Sequence, residues 1–149
     1  MQTRNQNYTD AILISTTALT FLHLKIKKFD KFNKFLGFTF DGTGYGDDGT
    51  LWGGEFLVCD LNGYARVGHI KSFKLLGGTK AIKEPKRVAL SLLFDLYGKD
   101  AFSLNSPTIN AFSTSELNTY YIAWEKGLNA PLSSSVGRLF DAVASLTGI

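Results

Sequence analysis

The stretch Asp41–Gly49, DGTGYGDDG, constrains the fold of this chain more than any other part of the sequence. Glycines let a backbone turn tightly and point its N–H groups at an anion, and a carboxylate can hold a divalent ion. The apolar run Phe35–Phe40 precedes the stretch and predicts a strand that enters a tight turn. Taken alone, these residues leave two interpretations open, an anion-binding loop and the connection of a β-hairpin.

Two other glycine motifs are excluded. Gly44–Gly49 matches G-x-G-x-x-G, but a dinucleotide-binding site needs a helix next, whereas Thr50–Cys59 is strand-like and acidic residues would face the pyrophosphate. A calcium loop that starts at Asp41 places Gly46 correctly at its sixth position. Its twelfth position is Trp52, where a bidentate glutamate is required.

Three successive strands are predicted over Phe35–Phe40, Leu51–Cys59 and Tyr64–Ile70. The dipeptide Asn62-Gly63, between the last two, favours a tight hairpin turn. The sequence therefore predicts an antiparallel meander.

Helices are predicted after the strands. Pro85 suits the first turn of a helix that ends at Gly98. A second helix is predicted over Ser115–Gly127, and a third is capped by Ser133–Ser135 and ends at Gly148. This order of elements predicts an α/β or α+β domain.

Phe102–Thr114 is predicted to be a loop. Several apolar residues in the rest of the chain are predicted to form the core. Trp52, Phe56 and Phe140 are predicted core residues because large aromatic side chains are mostly buried. The third helix should bury one apolar side, formed by Val136, Leu139, Phe140, Val143, Ala144 and Leu146.

Composition indicates a soluble, cytoplasmic protein. A chain of 149 residues with 44% apolar residues can bury the core of one domain. The single cysteine, Cys59, has no partner for an internal disulfide, which fits a reducing compartment. Ala11–Leu24 is the most apolar stretch near the start, but it is shorter than the about 20 residues of a membrane helix.

Residues 1–34 are left unassigned because they show no firm periodicity and no convincing caps. Their basic run, Lys25–Lys34, could contact nucleic acid or an acidic lipid surface, but such runs are more often a solvated helix face. No membrane or nucleic-acid partner is expected.

Three blocks of the sequence resemble one family. Asp41–Phe56 (DGTGYGDDGTLWGGEF), Gly77–Leu90 (GGTKAIKEPKRVAL) and Asn129–Ile149 (NAPLSSSVGRLFDAVASLTGI) are similar to HypF, a carbamoyltransferase of hydrogenase maturation, in its order and spacing. The resemblance implies that residues 35–149 are a central part of its ATPase-like domain. That domain has the actin/Hsp70/sugar-kinase fold and is similar to the ATPase that installs threonylcarbamoyl on tRNA.

The resemblance also implies a reaction. HypF enzymes make carbamoyl-adenylate from carbamoyl phosphate and ATP in another domain. The ATPase-like domain then transfers the carbamoyl group to the C-terminal cysteine of HypE, and the group becomes cyanide on the iron of nickel–iron hydrogenase. The expected partners are therefore the HypE tail, ATP and carbamoyl phosphate.

Site residues follow from the same resemblance, which assigns no catalytic residue. Asp41 corresponds to an acid that helps to hold a divalent metal (Mg, Fe or Zn) and the phosphates. Asp141 aligns with an acid that binds the ribose hydroxyls, while Arg138 is either a phosphate contact or a surface cation. The nucleotide-binding residues expected on this basis are Gly42, Thr43, Gly44, Arg138 and Asp141.

The chain departs from the family at the metal. Relatives carry a His-x-x-x-His pair before the first strand, whereas here only His23 is present and Lys27 stands at the fourth position after it. A further metal-binding acid of the family falls beyond Ile149. We therefore expect weak or lost metal binding, and a frameshift or an interrupted gene is one explanation for residues 1–34. An inactive remnant, or a partner-binding piece without turnover, is the alternative to an active carbamoyltransferase.

Overall fold

The computed structural model describes residues 34–60 and 63–149, with the side chains of Phe35 and Asp60 left aside. Its first three strands are β1 (Phe35–Tyr45), β2 (Leu51–Asp60) and β3 (Gly63–His69), and both consecutive pairs are antiparallel. The predicted meander is confirmed. Asp60 pairs with Gly63, as expected for a tight hairpin connection, although the turn residues themselves lie outside the described part.

Two short strands, neither of which was predicted from the sequence, extend the sheet. They are β4 (Phe73–Lys74) and β5 (Leu132–Ser133). β5 runs parallel to β2 through the pair Leu51 and Ser133, and β4 is antiparallel to β5. A strand of two residues is too short to show the alternation that identifies a strand in a sequence.

The three predicted helices are confirmed within one or two residues. The helices are α1 (Lys80–Lys83), α2 (Pro85–Tyr97), α3 (Pro107–Asn110), α4 (Thr114–Glu125) and α5 (Val136–Thr147). Pro85 begins α2, Ser113 and Glu116 form a capping box on α4, and Gly148 ends α5 in the left-handed conformation. The predicted loop Phe102–Thr114 is wrong in part, because it contains α3, and a 3₁₀ helix over Gly98–Ser103 enters it.

The core consists of two neighbouring clusters. One surrounds Phe94 on α2 and includes Leu76, Leu90 and Leu117, with the half-buried rings of the segments around it. The other joins α2 to α5 through Val88, Ala89 and Ala142, together with Phe73 and Leu75. Leu146 packs against both clusters, so α2 and α5 form one helical layer beside the sheet.

The predicted burial of Phe140 is wrong, since this side chain is 72% exposed. Trp52 and Phe56 are half-buried. The buried side of α5 is centred on Ala142, which is fully buried, and Val143 is exposed together with Phe140. The apolar residues of α5 occupy a wider part of the helix surface than α2 and the sheet can cover. Phe140 and Val143 lie outside the covered part.

The basic run Lys25–Lys34 lies outside the described residues, apart from Lys34 itself. Within residues 34–60 and 63–149, no helix combines the length and the apolar character that a membrane crossing would need.

Candidate functional site

The glycine-rich stretch is mostly strand. β1 continues through Tyr45, and its pairing with β2 shifts between Phe40, opposite Gly54, and Gly44, opposite Trp52. The residues between Phe40 and Gly44 therefore form a bulge opposite the single residue Gly53. The predicted turn over all of Asp41–Gly49 is wrong.

The true hairpin connection is short. It is closed by hydrogen bonds from the Gly46 amide to the Thr50 carbonyl (2.9 Å) and from the Gly49 amide to the Gly46 carbonyl (3.1 Å). Gly53 makes the bulge possible, because a Cβ at this position would lie 2.6 Å from the Asp41 carbonyl oxygen.

The bulge packs on the first turn of α5. The Ser135 hydroxyl faces the carbonyl oxygens of Asp41 (3.0 Å) and Gly42 and accepts a hydrogen bond from the Arg138 amide (3.1 Å). Gly137 permits the close approach, because a Cβ there would lie 2.8 Å from the Gly42 Cα. One serine thus caps α5 and ties it to β1 at the same time.

Arg138 and Asp141 form an ion pair beside this contact. Arg138 Nη1 lies 2.7 Å from Asp141 Oδ2, and the two side chains are 15% and 28% exposed. Arg138 Nη1 also donates to the Ile82 carbonyl at the end of α1 (3.4 Å). Arg138 Nη2 lies 3.8 Å from the point that a Gly42 Cβ would occupy. The fold therefore brings Gly42, Arg138 and Asp141 together, with Asp41 next to them in the chain.

The other expected residues are placed differently. The Gly42 amide, expected to face a phosphate, donates to Asp41 Oδ1 (2.5 Å). Thr43 belongs to the bulge, and Gly44 rejoins the ladder opposite Trp52. Gly42 thus packs directly on the start of α5, through Gly137 and Ser135.

The described residues do not fit a metal site with several protein ligands. In the parts of the chain from 34 to 60 and from 63 to 149, no group of three or more His, Cys, Asp or Glu side chains converges. By itself, Asp41 would supply a single carboxylate ligand. The affinity of a site for a divalent ion rises with the number of its ligands, so one carboxylate would bind such an ion weakly. His23 lies outside the described residues.

A buried glutamate that was not predicted from the sequence lies next to the bulge. Glu55 on β2 is 1% exposed, and its Oε2 accepts from the Gly53 (2.6 Å) and Gly54 (2.7 Å) amides. Its Oε1 pairs with Arg66 Nη2 (3.0 Å) and accepts from the Ser134 hydroxyl. A sequence signal existed, since Glu55 alternates with apolar Leu57 and Cys59 on the buried side of the strand.

Arg66 connects Glu55 to the hairpin connection. Its Nη1 lies 2.8 Å from Asp48 Oδ2, and its guanidinium stacks 4.3 Å from the Trp52 ring centroid. Desolvation acts to raise the pKa of Asp48. Hydrogen bonds from the Thr50 side chain and amide and from Trp52, with the charge of Arg66, outweigh it and lower the pKa to about 2.

The Asp48 carboxylate should therefore stabilise the fold above its ordinary pKa of 3.8, and this contribution should be lost as the pH falls toward 2. Because the side chain is 44% exposed, we discount the linkage energy to about 1 kcal/mol. Asp48→Asn should lower the free energy of unfolding by about that amount at pH 6. Urea denaturation at pH 6, 4 and 3 should show the difference shrinking; a difference that grows toward low pH contradicts the assignment.

A sequence model of the family described as "Carbamoyltransferase, Kae1-like Domain, second subdomain" matches residues 37–149. The chain belongs to the HypF family. It is 44% identical to the carbamoyltransferase HypF of Synechocystis sp. PCC 6803, over 76% of this chain and 16% of that protein. The probable HypF of Methanocaldococcus jannaschii is also 44% identical, over 73% of this chain and 14% of the relative.

Solved HypF structures share the fold. A full-length HypF, crystallised in its phosphate- and nucleotide-bound form, superposes with a TM-score of 0.71 at 38% identity, over 83% of this chain and 19% of that one. The chain therefore has the Kae1-like ATPase fold that the family resemblance implied. It spans less than a fifth of the length of these relatives. The division at residue 34 and the roles of the individual site residues stay predictions.

Proposed function

We propose that this chain supplies the adenine-nucleotide site of a HypF-type carbamoyl transfer in the cytoplasm. In that reaction the carbamoyl group passes from carbamoyl-adenylate, made from carbamoyl phosphate and ATP, to the C-terminal cysteine of HypE. Membership of the family supports the reaction class. The nucleotide seen in a solved relative supports the kind of ligand.

The observation that carries the proposal is the meeting of the β1 bulge with the first turns of α5. Gly42 lies against Gly137, and the Arg138–Asp141 ion pair stands beside it. The start of α5 carries a partial positive charge, which favours a nearby phosphate group, although the Ser135 hydroxyl already accepts from the Arg138 amide. Two glycines in contact leave backbone rather than side chain at this place.

Each charged residue has a defined role in the proposal. Asp141 accepts from the ribose hydroxyls, which is possible beside Arg138 because a carboxylate has more acceptor positions than one ion pair uses. Arg138 holds that carboxylate in place and supplies positive charge near the phosphates. Asp41 shapes the bulge through its own bond to the Gly42 amide. These residues bind and orient the nucleotide.

Asp141→Asn should weaken ATP binding about 10- to 100-fold, because hydrogen bonds to charged groups contribute about 1.5–3 kcal/mol. Calorimetric titration of the chain with ATP and Mg²⁺ measures this. Asp95→Asn is the matched control, since it removes an exposed ion pair with Lys71 far along α2 and should leave affinity unchanged. Equal heats for the wild type, Asp141→Asn and Asp41→Asn would end the proposal.

A second candidate is a partner-binding piece without turnover. It is favoured by the absence of a three-ligand metal group among the described residues. Carbamoyl transfer to a HypE C-terminal peptide separates the two candidates. Product above a protein-free blank excludes the second.

A further inference from the structure

We propose that Glu55 is a positioning residue for the nucleotide site: its carboxylate fixes Ser134 and thereby the seating of α5 on the β1 bulge. The consequence for nucleotide binding rests on the function proposed above. The structural part of the inference, the control of the α5 cap by Glu55, stands independently of any ligand.

The surroundings of Glu55 define one orientation for its carboxylate. A buried charge is costly unless it is paired and fully hydrogen-bonded, and here four donors converge on two oxygens. A carboxylate accepts only, so the Ser134 hydroxyl must donate to it. An apolar residue could fill the same space without that cost, but it could not hold a hydroxyl in a set direction.

The contact at Ser134 extends directly to α5. Ser134 is held on its backbone side as well, since its amide donates to the Leu51 carbonyl (2.9 Å). The next residue, Ser135, caps α5 and contacts the bulge carbonyls of Asp41 and Gly42. Both serines are at most 1% exposed, so the surrounding atoms leave little room for an independent shift. A displaced Ser134 would therefore displace the helix cap.

Arg66 holds Glu55 from the far side. It reaches Glu55, Asp48 and the Ser134 hydroxyl (3.3 Å), and its guanidinium lies over the Trp52 ring. A guanidinium presents its donors in a rigid plane, so these contacts fix the direction from which Glu55 is bound. The hairpin connection at Asp48 is thus linked to the start of α5 through two side chains.

The test uses the 149-residue chain with Glu55→Gln, Ser134→Ala and the double variant. The amide in Glu55→Gln would keep an acceptor for the glycine N–H groups but turn its own donors toward Arg66 or Ser134. Leu117→Ala is the control, because Leu117 is buried in the Phe94 cluster and its truncation lowers stability without touching the serines. The readouts are the Kd for ATP and the amide exchange rate of Arg138, which reports opening of the α5 cap, while the exchange rate of Leu90 reports global opening.

Glu55→Gln should raise both the Kd and the exchange rate of Arg138 by about tenfold, as expected for losing a hydrogen bond to a charged group. Ser134→Ala should act in the same direction, and the double variant should add little because both changes break one link. Leu117→Ala should speed exchange at Leu90, because it lowers the global stability, and should leave the Kd and the exchange rate of Arg138 at their wild-type values. If Glu55→Gln does not fold, Ser134→Ala carries the test.

The outcomes separate the two proposals. A wild type that binds no ATP refutes the proposed function, and the exchange rate of Arg138 alone then decides the role of Glu55. An unchanged exchange rate of Arg138 in the folded variants overturns the positioning role, and so does a Leu117→Ala control that raises this rate equally.

Discussion

Phe94→Ala should lower the free energy of unfolding by about 3–5 kcal/mol, the usual cost of truncating a buried aromatic residue. Phe94 is 1% exposed, and its ring centroid lies 5.9 Å from Phe102, 5.2 Å from Tyr121 and 5.9 Å from Trp124. Removing it leaves a cavity among rigid rings that cannot all move inward. Since small domains are stable by only about 5–15 kcal/mol, most of the stability should be lost.

Urea denaturation followed by tryptophan fluorescence measures this effect, because Trp124 belongs to the same cluster. Phe140→Ala is the matched control. It deletes the same side chain at a position that is 72% exposed, so its effect should stay within about 0.5 kcal/mol. Comparable losses in the two variants would contradict the described packing, and so would a larger loss at Phe140.

The parts of the fold that sequence reasoning found are those encoded within a few residues. Pro85 at a first turn, Ser135 as a cap and Gly148 as a stop each act on the helix that contains or adjoins them. The hairpin between β2 and β3 is likewise a local feature, with one strand following the other directly. Family resemblance then supplied the global fold, which local patterns alone had left at the level of a class.

The predictions that were wrong concern features that depend on contacts between distant segments of the chain. The bulge after Phe40 exists because Gly53 leaves space and because Ser135, 94 residues away from Asp41, binds its carbonyl. The strand predicted from local signals ends instead at Phe40, before the glycine-rich stretch. The predicted burial of Phe140 was wrong for a related reason. The apolar residues of a helix do not show which of them a neighbouring element will cover.

The candidate site also combines features that are local in the sequence with contacts between distant segments. Arg138 and Asp141 are three residues apart on a helix, so their ion pair could be anticipated from spacing. Their meeting with Gly42 could not, because it requires Gly137 to face the bulge. The buried Glu55 was visible as a charge in an apolar strand. Its partner Ser134, 79 residues away, was not.

Gly54→Ala should lower the free energy of unfolding, because a methyl group has no space at this position of the sheet. The new Cβ would collide with the Ser134 carbonyl oxygen and lie 2.8 Å from Ile70 Cγ1. The Ile70 side chain can rotate away, but the Ser134 oxygen is backbone, and its residue is held by the Leu51 carbonyl and Glu55. Overpacking of this kind costs about 1–3 kcal/mol, and we expect the upper end here because the backbone oxygen cannot yield.

Gly37→Ala on the neighbouring strand β1 is the control. A Cβ at Gly37 would meet only the Leu57 carbonyl at 3.7 Å, an ordinary contact, so its stability should stay within about 0.5 kcal/mol of the wild type. Thermal unfolding of both variants gives the stability difference, and ATP titration shows whether the displaced Ser134 also disturbs the site. If Gly54→Ala proved as stable as Gly37→Ala, β2 would not lie against Ser134 as described, and the seating of α5 on the bulge would lose its support.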